Sequence, residues 1–360
     1  MNLRGRSSLR LPVRIPVSRF ASIPPQYTML SLYLLTILSW CAASWAAPQH
    51  TNDVSVSIVD TIEDTVNLEN IAVRRNGDVL VTSVSSSTIF QVSTKNSYPP
   101  VAVAQIPSRN ATLGIVELEQ DIFYVAAADI SGSGGSENEI WKLDMRSLRL
   151  TEFGKVKHPA TLTLSAKVPN AGLLNGMTRL AGIDNTHILV ADSNGGNVIR
   201  VNVRTGKVAV VQQHPTMSTI VGELGVGING IHTFGNNLYY TNLDQKLFAR
   251  VPISVSDGTA TGDVDVISNG TLLNADDFAL SRDGTTAWIT ENGGNALIEV
   301  DILSKTTRVA VNSTLLTSIS SVAFGRTWSD WNALYVTGAL LDNGASVEGH
   351  ITRVVIWAMQ

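Results

Sequence analysis

Cysteine is almost absent from this sequence. Among 360 residues only Cys41 occurs, and it lies in an apolar N-terminal segment. Once that segment is removed the chain holds neither thiol nor disulfide. An exported chain without disulfides must be held together by packing and by closed topology. Sustained helical periodicity is missing too, which argues against a parallel α/β fold. Runs of Lys or Arg are missing beyond residue 46, so no nucleic-acid partner and no stable membrane partner are expected. Charged residues make up 16% of the chain against 44% hydrophobic, and mean hydropathy is +0.14. That balance excludes a disordered chain and suffices for a large core. Glycine, by contrast, is plentiful at 28 residues, as expected where tight turns join short strands.

Residues 1–28 carry Arg4, Arg6, Arg10, Arg14 and Arg19 and no acid. An apolar run follows, Met29 to Ala47, MLSLYLLTILSWCAASWAA. It reads as a secretory signal cleaved after Ala46, with Ser44 and Ala46 meeting the small-residue requirement. A retained signal anchor is the alternative, because the run is long enough to span a bilayer. An Arg-rich mitochondrial presequence is a third reading, and Met29 is an alternative start. Asn-x-Ser/Thr acceptors at Asn110, Asn269 and Asn312 fit the secretory pathway and mark these residues as glycosylation sites. The domain reading is a leader over residues 1–46 and one domain over residues 47–360. Loss of the leader removes five Arg and takes the formal net charge from −4 to −9.

Beyond the leader the sequence repeats itself. LENIAVRRNGDVLVTSVSSSTIFQV starts at Leu68, LLNGMTRLAGIDNTHILVADSNGGNVIRVNV at Leu173, GINGIHTFGNNLYYTNLDQKLFARVPI at Gly227 and DDFALSRDGTTAWITENGGNALIEVDI at Asp276. In each, a polar residue precedes a short apolar strand, a Gly/Asn/Asp turn follows, and two more strands come after it. Weaker copies begin at LGIVELEQDIFYV and SSVAFGRTWSDWNALYV. Six strand–turn–strand units at a period of about fifty residues mean an all-β, six-bladed β-propeller. DVSVSIVD, residues 53–60, is expected to close the ring against the last blade.

Residues just before the innermost strands of a propeller converge on one mouth of its channel. That reading brings together Glu69, Asn175, Asn229 and Asp277, from blades one, three, four and five. Two carboxylates and two amide oxygens suit a hard cation such as Ca2+. No His or Cys stands at these positions, which disfavours zinc. Asp and Asn before a strand also serve turns, and Asp276 is assigned that role.

These segments resemble the gluconolactonase and senescence-marker-protein (regucalcin) family of six-bladed propellers. LENIAV, LLNGM, INGIH and DDFAL…WITENGGNALIEVD match its four metal-site segments over nearly the whole mature chain. The resemblance implies ligation of Ca2+ or another divalent cation by Glu69, Asn229 and Asp277. Asn175 is a further ligand or substrate contact, and no organic cofactor is implied. The family has Gly-Pro after the glutamate where this chain has Asn70-Ile71, and Gly after the aspartate where this chain has Phe278. Both differences are expected to put bulk near the site and argue against sugar-lactone hydrolysis. LENIAVRRNGDVLVT with NGI…LYYTN…LFARVPI is more similar to a secreted fungal branch that includes the hetero-Diels-Alderases of tropolone–sesquiterpene biosynthesis. That branch implies an enzyme joining a reactive quinone methide to a humulene-type alkene, its partners small molecules. Glu69 and Asp277 are then the candidate catalytic residues, and Asn70, Asn175 and Phe278 the candidate substrate contacts. The alternative is a divalent-metal-dependent lactonase, and a non-enzymatic binding propeller is a third class.

The Gly/Ser-rich loop Ala127 to Glu139 is no phosphate loop, since neither helix nor Lys follows it; a lid over the mouth fits better. Ser193 and Ser321 lack an evident His–Asp set. His232 is assigned a structural role, and Tyr239, Tyr240 and Trp288 are assigned to the core. N-terminal sequencing of protein secreted from a eukaryotic host should begin at Ala47; a start at Met1 or Met29 in detergent-extracted material would establish an anchor instead.

Overall fold

Strands dominate the chain, interrupted only by two short 3-10 turns, Met145–Ser147 and Pro215–Met217, among the described residues. The structure is a computed structural model and describes residues 54–63, 65–130 and 137–356. The leader of residues 1–46, with Cys41 and the cleavage position, lies outside the described residues, as does the middle of the loop read as a lid. Among the described residues no helix is long and apolar enough to cross a membrane.

Six four-stranded antiparallel sheets follow one another as the blades of a propeller. Their inner strands are Leu68–Val73, Ala111–Glu119, Leu174–Arg179, Ile228–Phe234, Ala275–Leu280 and Val322–Phe324. Blade two carries an extra small hairpin, Arg149–Leu150 with Val156–His158. The expected closing strand is present as Val54–Ile62. It pairs antiparallel with Ala345–Ile356, from Val54 opposite Ile356 to Ile62 opposite Gly349. The start of the propeller is thus the outer strand of its last blade, and the ring is sealed by hydrogen bonds where a disulfide is lacking.

The second strands are the most apolar because neighbouring blades cover both their faces. Val79–Ser83 and Ile122–Ala128 are buried throughout. Outer strands such as Thr306–Asn312 are largely exposed, since solvent takes one face. Apolar side chains gather in six clusters, one at each blade interface. Tyr240, Tyr239 and Trp288 fall in three of them, as the sequence predicts. Burying each large apolar side chain contributes about 1.5–3 kcal/mol.

The inner strands of blades one to five have a break in register near their start. In blade one Leu68 faces Ser83 and Ile71 faces Val81, so Glu69 and Asn70 form a bulge. The same break encloses Asn175–Gly176, Asn229–Gly230 and Asp276–Asp277. Threonines on the second strands hold the bulges. Thr82, Thr241, Thr290 and Thr337 accept from the backbone N–H of Asn70, Gly230, Asp277 and Ser321 at 3.0–3.2 Å. Each hydroxyl also reaches a carbonyl of the next blade: Leu113, Asp276, Ser320 and Glu69 respectively. Blades two and three have Ala126 and Ala191 instead, with Gly114 and Gly176 at the bulge. Added Cβ atoms there would strike the backbone carbonyls of Asn175 and Asn229.

Thr290→Val keeps the side-chain shape and leaves the Asp277 N–H and the Ser320 carbonyl without a hydroxyl partner. It should cost about 1–3 kcal/mol, read as a lower urea midpoint at unchanged slope. A shift below a few tenths of a kcal/mol would show that these bonds do not stabilise the ring.

Candidate functional site at the channel mouth

The bulge decides which residues share the mouth. Glu69, Asn175, Asn229 and Asp276 are the first bulge residues of their strands. Leu113 takes that position in blade two, and in blade six Ser320 precedes the Ser321 N–H that Thr337 binds. The sequence reading placed Asp277 in this set and gave Asp276 to a turn; the structure puts Asp276 in the set and Asp277 beside it in the same bulge. Both residues are bulge positions and both are 4% exposed, so neither serves a surface turn. A bulge suspends the usual alternation, and the second residue of each pair faces the bulge of the next blade.

Asp276 is clamped by amides. Asn229 Nδ2 donates to its Oδ1 at 2.7 Å and Asn292 Nδ2 to its Oδ2 at 2.8 Å. Asn292, in the turn after the second strand of blade five, was not singled out in the sequence, although it stands within the ENGGN stretch that the resemblance covers. Burial pushes the Asp276 carboxyl up to about 7; the Asn292 and Asn229 amides oppose this and the charge of Asp277 adds to it. Glu69 is held well above the usual carboxylate range, first by burial and then by the charges of Asp276 and Asp277.

Asn175 adds a second anomaly. Its Oδ1 is buried and has no hydrogen-bond donor among the described residues. An orphaned buried acceptor costs about 1–3 kcal/mol. A cation at the mouth would satisfy this oxygen and neutralise the neighbouring carboxylates together. The donor set, two carboxylates and two amides, has the oxygen chemistry of a Ca2+ site. Among the described residues no group of three or more His, Cys, Asp and Glu side chains is arranged to hold a metal. Any cation would therefore rest on the mixed carboxylate–amide set.

Asp277 belongs to a different constellation. Ser321 Oγ donates to its Oδ2 at 2.6 Å, and His232 Nε2 lies 3.1 Å from its Oδ1. Gly230 has no side chain because a Cβ would collide with this carboxylate. A Ser, an Asp and a His thus meet where the sequence showed no such set. The carboxylate stands between the other two, so the imidazole cannot take the proton of Ser321, and a nucleophilic triad is excluded. His232 anchors Asp277 and packs edge-on against Phe278, ring centroids 4.7 Å apart, in keeping with its structural assignment.

Phe278 is a correction. It is fully buried between blades four and five, also against Phe248 at 4.9 Å, and does not reach the mouth. Past the bulge the strand alternates again and turns this side chain into the interface. The residue that replaces the expected glycine beside the site is Asp277. Asn70 lies buried behind Glu69, its N–H bound to Thr82. Among the glycosylation candidates, Asn269 and Asn312 are exposed. Asn110 Nδ2 donates to Asp129 Oδ1 at 2.7 Å and its Oδ1 accepts from Ile130 N–H at 2.9 Å, bonds that a glycan there would have to disturb.

No family model matches the chain. It is similar to a candidate hetero-Diels-Alderase of Sarocladium schorii, 26% identical over 312 residues, covering 78% of this chain and 77% of that protein. A second candidate hetero-Diels-Alderase, from a Phoma species, is 26% identical over 303 residues, covering 76% of this chain and 84% of that protein. Among solved structures, the calcium-binding protein regucalcin of Agrobacterium tumefaciens superposes with a TM-score of 0.54 at 16% identity, over 82% of this chain and 93% of that one. At that identity the likeness establishes a common fold, the all-β six-bladed propeller.

Proposed function

We propose that this chain is a regucalcin-like enzyme of small-molecule chemistry whose site is the acidic mouth, and that it opens cyclic esters. The observation that carries the reading is the partly buried Glu69 carboxylate near buried Asp276, beside the unsatisfied Asn175 oxygen. Glu69, Asp276, Asn175 and Asn229 would hold a divalent cation, which supplies polarisation of an ester carbonyl when bound. Asp276 is fixed on both oxygens by amides and so orients rather than moves protons. Glu69 has no such clamp among the described residues, which leaves its carboxylate free to act as a proton acceptor. Water adds to the acyl carbon while a Glu69 Oε takes its proton. The acyl–oxygen bond then breaks, and the same proton passes to the departing alkoxide.

The second reading is a cycloaddition, joining a quinone methide to a humulene-type alkene at the same mouth. The names of the two relatives from Sarocladium schorii and Phoma support it. Such a reaction needs two partners held in one orientation, which lowers a barrier by up to about 7–11 kcal/mol. The supposed bulk of Phe278 no longer favours it, since that ring is buried away from the mouth.

Hydrolysis of δ-valerolactone and gluconolactone, with Ca2+ and with chelator, separates the readings. Glu69→Gln should lower turnover at least about a hundredfold, a typical general-base contribution. Turnover that survives both chelation and Glu69→Gln would overturn the lactonase reading; product formation from a quinone methide and humulene under chelation would install the cycloaddition in its place.

Stability gives a second test. In the folded chain Asp276 keeps its proton up to about 7, against an unfolded carboxyl near ~3.9. Between those values the folded state binds the extra proton, so metal-free protein should lose stability as pH rises from about 4 to about 7. Bound Ca2+ keeps the carboxylates ionised and should flatten that slope. At about 100 times its dissociation constant it contributes ~2.7 kcal/mol. Melting temperatures in Ca2+ and in chelator should diverge towards pH 7.5, and Glu69→Gln should abolish the divergence. Identical melting temperatures at every pH would rule out a cation at this site.

A further inference from the structure

We infer that a second ligand site, for an aromatic or otherwise planar apolar carboxylate, lies in the cleft between blades five and six, away from the acidic mouth. A cavity of about 430 Å3 opens there, a volume that suits a small organic molecule. Its lining mixes aromatic surface with charge: Trp288, Phe324 and Trp331 beside Arg282 and Arg308.

Two features give the cavity chemical direction. Trp288 is 5% exposed, and its indole N–H is buried without an acceptor among the described residues. A buried indole N–H ordinarily finds a partner. A ligand oxygen in this cavity would provide it once the side chains covering the nitrogen shift to admit it. The ring itself is fixed, standing edge-on to Phe324 with centroids 5.3 Å apart. The second feature is Arg282. Its guanidinium lies 5.2 Å from the Trp331 ring centroid and touches the Trp331 carbonyl at 3.4 Å. Among the described residues no carboxylate pairs with it. Asp283 is turned onto Ser281 and Thr285 at 2.5–3.1 Å. Glu299 is taken by Arg308, in a two-pronged pair at 2.7 and 3.0 Å. Arg282 is therefore the cation left to meet an anion, and it already rests against an aromatic face.

An orphan donor in an aromatic wall and an unpaired guanidinium at the rim call for a ligand with both an apolar plane and a carboxylate. The plane would lie against Trp331 and Phe324, one oxygen would accept from Trp288, and the charge would face Arg282. This cleft uses none of Glu69, Asn175, Asn229 or Asp276, so it stands or falls independently of the proposed activity.

The test is calorimetric titration of the full propeller with 2-naphthoate and with its neutral amide. Wild-type protein should bind one naphthoate saturably, and the amide about tenfold more weakly. Arg282→Gln, at an exposed position, should weaken naphthoate about tenfold and leave the amide unchanged. Trp288→Phe keeps the aromatic body but deletes the donor, and should weaken both. Asp276→Asn should change neither. Absence of saturable binding up to millimolar naphthoate would overturn the inference. So would binding that Arg282→Gln leaves intact, or binding that Asp276→Asn abolishes. The Arg282 result alone decides should Trp288→Phe fail to fold.

Discussion

The bulge at the head of the inner strands of blades one to five is the constraint on which the rest depends. An ordinary strand would send one of two successive residues to the channel and the other into a blade interface. The bulge sets the first of each pair at the rim and turns the second towards the bulge of the next blade. Four threonines fix this geometry by binding the bulged N–H and a carbonyl of the next blade with one hydroxyl. The device that aligns the site thus also ties neighbouring blades together. Where threonine is missing, glycine at the bulge lets the backbones themselves approach.

The electrostatics of the mouth follow from this convergence. Three acids from two blades are gathered in a space where burial disfavours their charged forms. The protein answers differently at each. Asp276 receives two amide donors, Asp277 a hydroxyl and an imidazole, and Glu69 no such partner among the described residues. One unclamped carboxylate next to an unsatisfied amide oxygen is the place in this network that the proposed cation would fill.

Closure explains how such a site is kept without a disulfide. The first strand of the propeller finishes the last blade, so opening the ring means stripping the long pairing of Val54–Ile62 with Ala345–Ile356. Six apolar clusters lie between the blades, and each loses its cover when a neighbour moves. A rigid ring can hold like charges close, because no local rearrangement relieves them.

Much of this was legible in the sequence. Six copies of strand–turn–strand fixed the fold, since a period near fifty residues allows little else, and the closing strand was readable as the spare strand at the start. Glu69, Asn175 and Asn229 were legible because each heads an apolar strand in its copy. What the sequence left open was a matter of one residue. Two adjacent aspartates are equivalent to a pattern reader, and Asp277 was chosen over Asp276; only the bulge register, set by pairing to the neighbouring strand, separates them. The same register buried Phe278. The meeting of Ser321, Asp277 and His232, and the clamp from Asn292, join residues from different blades or from a turn. Their separation along the chain carries no signal, because contact between them is created by the closure of the ring.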